Sequence, residues 1–214
     1  MGDLFPCDHV EEEILALTLA KKDKVKYIVD YYGTKLEDGT AYICMQFMNR
    51  GTLEKHIERQ RGKLPVGAWP IIDEGTCFDF VGDILKGVEF LNSKGLVHGD
   101  IKGDNVLLDE SFTHVKLADF GLSRKIEDHV GTPDVLRTGR LLIEMLNGGR
   151  SSILDHFLFG DADYQRLKSV FQKHFPPQAS KETTDLLNII FASELLLGAA
   201  DILRISRQLQ PLQR

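Results

Sequence analysis

The sequence lacks several features that define whole classes of protein. Its three cysteines, Cys7, Cys44 and Cys77, are widely spaced and include no CxxC pair. This pattern favours reduced thiols and argues against a disulfide framework or a zinc site. No apolar run approaches the roughly 20 residues that a membrane span needs, and the N-terminus has no basic segment followed by an apolar signal core. These absences predict a soluble, cytoplasmic protein.

Excess positive charge is also missing. The formal net charge is -6, which argues against nucleic acid as the main partner because a phosphate backbone requires a basic face. Hydrophobic residues at 43% and charged residues at 27% are typical of globular proteins. With 214 residues the chain can bury one substantial core but is short for two independent domains. We therefore expect a single domain over residues 1–214.

The first third of the chain predicts a helix followed by a β-hairpin. From Asp8 to about Lys22, apolar residues recur at helical spacing behind three glutamates that suit a helix N-terminus. Residues 27–33 and 40–48 are rich in β-branched and aromatic side chains, and the turn-forming residues 37–39 join them. This part of the chain therefore combines both types of secondary structure.

The rest of the chain is mainly helical in pattern. Residues 51–61 are polar and compatible with a helix, and Thr76 to Lys94 form a longer one whose core face would carry Phe80, Ile84, Val88 and Leu91. Two short apolar strands are expected at 106–108 and 115–118. From Asp134 onward the pattern is helical again, with breaks at residues 147–149 and 176–177. The predicted fold class is α+β.

Two motifs carry the chemistry of this sequence. Residues 98–108 read HGDIKGDNVLL, and residues 119–121 read DFG. Asp100 and Lys102 stand two apart in a loop, so a carboxylate and a cation can face one reacting group, the first orienting a hydroxyl and the second neutralising a phosphoryl group. The side chains of Asn105 and Asp119 offer the hard oxygen ligands that Mg²⁺ prefers. Together the two motifs indicate metal-assisted phosphoryl transfer.

These motifs resemble the catalytic loop, H-R-D-x-K-x-x-N, and the metal-binding D-F-G triplet of eukaryotic protein kinases. The resemblance implies that Asp100 is the catalytic base, that Lys102 contacts the phosphate, and that Asn105 and Asp119 bind Mg²⁺ while ATP donates the phosphoryl group. Lys102 is typical of serine/threonine kinases, and the run at 28–33 is similar to the mitogen-activated kinase kinase kinase group.

Further positions fit the same resemblance. Glu11 is expected to be the glutamate of the αC helix, and Met45 the gatekeeper before the hinge. The C=O of Gln46 and the N–H of Met48 would meet the adenine edge, and Leu107 would form the adenine floor. Taken singly, each of these residues is more often structural than functional.

The resemblance also implies the overall architecture. Residues 134–148 are similar to the αF helix, whose aspartate, here Asp134, braces the catalytic loop from below. We expect a protein-kinase-like fold with a small lobe at 1–48, reduced to one helix and a hairpin, and a mainly helical large lobe at 49–214.

The sequence departs from the family pattern in three places. No glycine-rich loop or small-lobe lysine precedes Glu11, so we expect an N-terminally truncated domain with an incomplete nucleotide clamp. Gly99 replaces the arginine that in many kinases binds a phosphorylated activation loop. Only residues 131–133 precede Asp134 where kinases carry the A-P-E motif, and residues 197–198 stand where its arginine partner is expected.

Three functions remain open. The first is a protein serine/threonine kinase of weak activity, and the second is a pseudokinase or truncated regulatory module that binds without transferring phosphate. The third is a small-molecule phosphotransferase of the aminoglycoside or choline kinase type, which shares an H-G-D-x-x-x-x-N loop. Lys102 and the DFG triplet speak against this third function.

The predicted partners are proteins. A protein substrate or a regulatory protein is expected from the resemblance. A second copy of the chain, or a partner that covers the small lobe, is expected because two strands give little sheet to cover the helix face that carries Ile14 and Leu17.

Overall fold

The computed structural model describes residues 8–126, 133–149, 173–192 and 197–209. Within these residues the chain forms six α-helices and three two-stranded antiparallel sheets. This mixture of helices and small sheets confirms the predicted α+β fold.

The described chain starts with a helix and a hairpin. Helix α1 spans Asp8–Lys22, as predicted, and strands β1 (Tyr31–Glu37) and β2 (Thr40–Met45) pair antiparallel. Both turn residues between them have positive φ, 49° at Asp38 and 75° at Gly39, which suits the twist of a tight hairpin. The expected start of the first strand at residue 27 is wrong, because Ile28 bridges to Leu117 instead of joining the hairpin.

A long buried helix forms the centre of the fold. Helix α2 (Leu53–Arg61) is capped by Thr52, and helix α3 (Glu74–Ser93) is capped by Asp73, whose side chain accepts the N–H of Thr76. The predicted core face of α3 is confirmed, since each of its four apolar side chains is at most 1% exposed: Phe80, Ile84, Val88 and Leu91. This helix supports the strands that carry the two motifs.

Four short strands frame the motif residues. Strand β3 (Leu96–Val97) pairs with β6 (Arg124–Lys125), and β4 (Val106–Leu108) pairs with β5 (Val115–Leu117). The loop between β3 and β4 and the loop between β5 and β6 therefore emerge side by side. The first of these, residues 98–105, is called the catalytic loop below, and residues 119–121 the triplet.

Three further helices complete the core. They are α4 (Pro133–Asn147), α5 (Lys181–Ala192) and α6 (Ala199–Leu209). Helices α4 and α6 pack against α3, and α5 packs against both of them. The predicted break after residue 147 is confirmed, and the helical pattern expected at 150–172 lies outside the described residues. None of the described helices is both long and apolar enough to cross a membrane.

Candidate active site

A buried carboxylate at the start of α4 holds the base of the catalytic loop. Asp134 Oδ2 accepts the backbone N–H of His98 at 2.7 Å, and Oδ1 accepts that of Gly99 at 3.0 Å. Asp134 is fully buried, and Arg137 Nη1 lies 3.3 Å from Oδ1. Two amides and a guanidinium replace the water that this carboxylate loses on burial. The bracing expected of Asp134 is confirmed by these contacts.

The His98 ring links the catalytic loop to the triplet. Its Nε2 lies 3.2 Å from the carbonyl oxygen of Ala118, and its Nδ1 lies 3.3 Å from the N–H of Asp100. The ring also packs against Phe120, with 4.9 Å between centroids. Burial lowers the pKa of His98, so the ring is neutral at pH 7. A neutral ring with its proton on Nε2 satisfies both hydrogen bonds, because Nδ1 then accepts and Nε2 donates.

Two side chains of the catalytic loop donate hydrogen bonds to the carboxylate of a third. Lys102 Nζ donates to Asp100 Oδ2 at 2.5 Å, and Asn105 Nδ2 donates to the same oxygen at 2.8 Å. Asn105 Nδ2 also donates to the Asp100 backbone carbonyl at 2.9 Å. Both side-chain contacts use Oδ2 of Asp100, and its Oδ1 accepts no hydrogen bond within the described residues. The Asn105 amide is oriented by its two donated bonds, which leaves its oxygen to accept or to ligate.

A backbone hydrogen bond places Asp119 beside the catalytic loop. The N–H of Ala118 donates to the carbonyl oxygen of Asn105 at 2.9 Å, which sets the residue after Ala118 beside the catalytic loop. Asp119 has a positive φ of 61°, a conformation that is uncommon outside glycine and that costs about 1–3 kcal/mol. Its Oδ1 accepts the N–H of Gly121 at 3.3 Å. Such conformations concentrate at functional sites, where the surrounding structure enforces them.

The structure does not bring Glu11 to this group. The Glu11 side chain lies on the exposed part of α1, and Glu13 takes the place beside the triplet. Glu13 accepts the backbone N–H of Phe120 and lies close to the Asp119 carboxylate. Burial and, second, the charge of Asp119 raise the pKa of Glu13, which the hydrogen bond from Phe120 offsets only in part.

The helical phase of α1 contains the signal that identifies Glu13. Glu13 precedes Leu17 by four residues, and Leu17 is fully buried, so the two lie on one face of the helix. Glu11 precedes Leu15 by four residues, and Leu15 is 39% exposed. Burial of the apolar positions, rather than the first acidic residue in the run, therefore decides which glutamate points inward.

The segment after β2 runs alongside β4. Met45 is half-buried and Met48 is buried, and the N–H of Gln46 donates to the Asp30 carbonyl at 2.7 Å. The next residues bridge to the strand that carries Leu107, because Thr52 pairs with Leu107. In the described part of the chain, no backbone hydrogen bond uses the C=O of Gln46 or the N–H of Met48.

Gly99 is required by a close approach of two backbones. Its φ is 82°, and a Cβ atom at this position would lie 2.4 Å from the carbonyl oxygen of Leu122. Nearby, Ser123 Oγ donates to the carbonyl oxygen of His98 at 3.3 Å. The catalytic loop and the residues after the triplet are thus in direct contact, which explains physically why an arginine cannot occupy this position in the present conformation.

Two remaining expectations concern the end of the site. Residues 131–132 lie outside the described residues, so the predicted short connection before Asp134 stays a prediction. Gly198 begins the cap of α6, where its N–H donates to Asp201 Oδ2 at 3.3 Å.

In the described residues, no group of three or more His, Cys, Asp or Glu side chains is arranged to hold a metal ion. The metal-binding role expected of Asn105 and Asp119 stays a prediction.

Comparisons with known proteins agree with this geometry. The family model described as "Protein kinase domain" matches residues 5–144. Human protein kinase C delta type is 28% identical over 91% of the chain, and human mitogen-activated protein kinase kinase kinase kinase 3 is 32% identical over 71%. Mitogen-activated protein kinase kinase kinase 2 of Arabidopsis thaliana is 32% identical over 56%. The aligned parts cover 30%, 16% and 17% of these relatives, respectively.

The contact at Gly99 predicts a large effect of a single methyl group. Gly99→Ala should destabilise the protein more than Gly95→Ala does, as measured by urea denaturation. Both glycines have positive φ, but a Cβ at position 95 would meet no atom within 4 Å. We expect about 1 kcal/mol for Gly95→Ala from backbone conformation alone. For Gly99→Ala we expect a further 1–3 kcal/mol or so from steric overlap. Equal losses would contradict the close approach.

The position of Glu13 predicts a pH-dependent gain in stability. Since the folded state raises the pKa of Glu13, its ionisation opposes folding at pH 7, and this penalty disappears as the pH falls below the ordinary pKa of glutamate. Glu13→Gln should therefore raise the free energy of unfolding at pH 7 by about 0.5 kcal/mol, typical of a partly exposed charge pair.

The matched control for this prediction is Glu11→Gln, which removes the same charge from the exposed part of the same helix. It should change stability little. Urea denaturation in a buffer with a metal chelator measures both variants at pH 7 and pH 4. A gain that persists at pH 4, or that Glu11→Gln reproduces, would show that Glu13 is not the inward-facing glutamate.

Proposed function

This chain belongs to the protein kinase family, and from that premise we propose that it binds ATP with Mg²⁺ and transfers the γ-phosphoryl group to serine or threonine hydroxyls of a protein substrate. The observation that supports this proposal most strongly is the direct contact of Asp100, Lys102 and Asn105, with Asp119 held beside them by the bond between Ala118 and Asn105.

Asp100 and Lys102 would act on the two reacting groups. Asp100 Oδ1 would accept the hydrogen bond of the substrate hydroxyl and orient its oxygen towards the phosphorus. The Lys102 side chain is 37% exposed, so its ammonium can contact a phosphoryl oxygen while it remains next to Asp100. Charge neutralisation at the transferred group commonly contributes more to phosphoryl transfer than covalent chemistry does.

Asn105 and Asp119 would hold the Mg²⁺. The two donors suit this ion, because it binds through one or two protein oxygens and completes its shell with water and phosphate. The Asn105 oxygen is left for such a role by the two bonds that its NH₂ group donates to Asp100. The metal, when bound, neutralises phosphate charge.

The segment after β2 would hold the adenine. The edge of the adenine ring would meet the C=O of Gln46 and the N–H of Met48. Met45 would be the gatekeeper, and Leu107 would lie below the ring. The support for this role is that neither backbone group makes a backbone hydrogen bond within the described residues. The proposed boundary between a small lobe, residues 1–48, and a large lobe, residues 49–214, falls in this segment.

A second function is favoured by the surroundings of Glu13. Its side chain faces the carboxylate of Asp119, and in the described residues it forms no ion pair with a lysine or arginine. In kinases the corresponding glutamate pairs with a lysine that contacts the phosphates. Without that cation, phosphoryl transfer would be slow, and the chain could serve instead as a pseudokinase, a regulatory module that binds without transferring phosphate.

Labelled phosphate transfer from Mg·ATP to a generic protein substrate distinguishes the two functions. We expect slow transfer that falls at least 100-fold in Asp119→Asn, since loss of one electrostatic contact costs about 10²- to 10³-fold. Asp79→Asn serves as the charge-matched control, because Asp79 lies on the exposed part of α3. Both variants are also tested for a thermal shift with Mg·ATP.

The outcomes of this experiment are distinct. A thermal shift that Asp119→Asn removes, without transfer by the parent protein, would support the regulatory function. Transfer that is insensitive to Asp119→Asn, or no response to Mg·ATP of either kind, would contradict the assignment of the nucleotide site.

The face of α1 that carries Ile14 and Leu17 is not the uncovered surface that the sequence predicted, because Leu17 is fully buried and Ile14 is half-buried. We propose instead that a protein, or a second copy of this chain, covers the hairpin. Three large side chains on its two strands are exposed, Tyr32 by 64%, Leu36 by 74% and Tyr42 by 51%. Sedimentation velocity should show self-association that the triple substitution of these residues with serine abolishes. A monomer at every accessible concentration would contradict the second-copy form of this proposal.

A further inference from the structure

A groove on helix α2 lies outside the candidate active site. We call it the α2 groove. It encloses a cavity of about 550 Å³ between α2, the residues that lead into α3, and the turn between β4 and β5. The lining residues used below are His56, Arg59, Lys63, Ile71, Ile72 and Phe112. No residue assigned above to catalysis, metal or nucleotide contributes to this lining.

The cations of the α2 groove have no carboxylate partner in the described part of the chain. Arg59 Nε donates to the Lys55 carbonyl at 3.0 Å, and its Nη2 donates to the Arg50 carbonyl at 3.1 Å. These two bonds fix the guanidinium while its other N–H groups remain for a ligand. Lys63 forms no ion pair with a described carboxylate. The groove therefore presents two positive charges, one of them held in position.

One carboxylate does line the groove, but it is already engaged. Asp73 Oδ1 accepts the N–H of Thr76 at 2.9 Å, and Asp73 Oδ2 accepts the hydroxyl of the same residue at 2.6 Å. These bonds cap helix α3. Asp73 thus serves the helix terminus and forms no ion pair with Arg59 or Lys63.

His56 lies in the groove close to both cations. Burial and, second, the charges of Arg59 and Lys63 lower its pKa, so the ring is neutral at pH 7. The cations that line the groove are therefore Arg59 and Lys63. Their charge is opposite in sign to the net charge of the whole chain, which is -6.

An apolar surface lies beside the cations. Ile72 is 4% exposed and Ile71 is half-buried, and the Phe112 ring lies 5.2 Å from the His56 ring. Phe112 has a positive φ of 58°, which is a genuine outlier for a bulky residue. The Arg50 guanidinium lies 4.9 Å from the same ring. The half-buried Phe112 ring thus packs against the core and also lines the α2 groove beside His56.

From this combination we propose that the α2 groove docks an acidic segment of a protein partner, in which carboxylates flank an aliphatic side chain. The carboxylates would pair with Arg59 and Lys63, and the fixed guanidinium of Arg59 suits the two-oxygen geometry of a carboxylate. The aliphatic side chain would pack on Phe112 and Ile71.

Charge complementarity favours a peptide over a nucleic acid. A phosphate backbone requires a row of cations, whereas the α2 groove offers a compact pair beside apolar side chains. The chain as a whole is acidic, so it would repel a long polyanion but accept a short acidic segment at this one face. The proposal does not depend on phosphoryl transfer, because none of the transfer residues lines the groove.

Fluorescence polarisation with a labelled peptide tests this docking. The probe is a peptide of about a dozen residues in which single leucines separate pairs of glutamates. We expect binding by the full chain that weakens at least 10-fold in the double variant Arg59→Glu/Lys63→Glu. Lys22→Glu/Lys26→Glu is the matched control, since both lysines are exposed, lie outside the groove, and give the same change in net charge. This control should bind as the parent does.

A second variant tests the apolar contact without reversing charge. Phe112→Asn removes the ring, and asparagine tolerates positive φ, so the turn should remain folded. We expect several-fold weaker binding of the leucine peptide and little change for a peptide in which serine replaces leucine. Thermal melting followed by circular dichroism establishes that each variant is folded.

Four results would overturn the proposal. They are the absence of binding at millimolar peptide, equal weakening in the two double variants, tighter binding of single-stranded DNA than of the peptide, and equal affinity for the leucine and serine peptides. Each is independent of whether the chain transfers phosphate, so failure of the docking and failure of the proposed kinase function are separate outcomes.

Discussion

The hydrogen bonds from two loop amides to the buried carboxylate of Asp134 determine the rest of the site. They fix the backbone at His98 and Gly99, which sets the direction in which the catalytic loop leaves β3. His98 then reaches the carbonyl before the triplet and packs on Phe120. Because the carboxylate is buried, loss of either amide would leave charge without its compensation, so the arrangement is favoured as a unit.

The positions of the carboxylates explain why the site suits phosphoryl transfer and why that transfer would be slow. Lys102 and Asn105 both donate to the carboxylate of Asp100, so hydrogen bonds within the catalytic loop hold this carboxylate in place. Burial and the nearby charge of Asp119 instead raise the pKa of Glu13, which makes the region around the triplet receptive to positive charge. Either a cation at the proposed metal site or a cationic partner would relieve this repulsion. The same feature therefore suits a nucleotide-binding enzyme and a regulatory module.

Periodicity and motif spacing predicted much of the fold and less of the site. Helix α1 and the core face of α3 follow from local patterns, and the bracing role of Asp134 follows from the resemblance to kinases; the structure confirms all three. The family pattern favours Glu11, but three adjacent glutamates differ only in helical phase, and burial of Leu17 identifies Glu13 as the inward-facing one. The β-branched and aromatic content of residues 27–33 predicts a strand from residue 27, yet Ile28 pairs with β5, a contact distant in sequence. The α2 groove combines three separate segments, so no local pattern could indicate it.

Hydrogen exchange at the backbone amides of His98 and Gly99 tests most directly whether Asp134 organises the catalytic loop. Both amides lie in a loop, where exchange is ordinarily fast, so their protection depends on the buried carboxylate. The account predicts that both amides exchange as slowly as those in the centre of α3, and that Asp134→Ala removes their protection while the α3 amides keep theirs. Exchange of the two amides at the rate of an exposed loop in the parent protein would contradict the account.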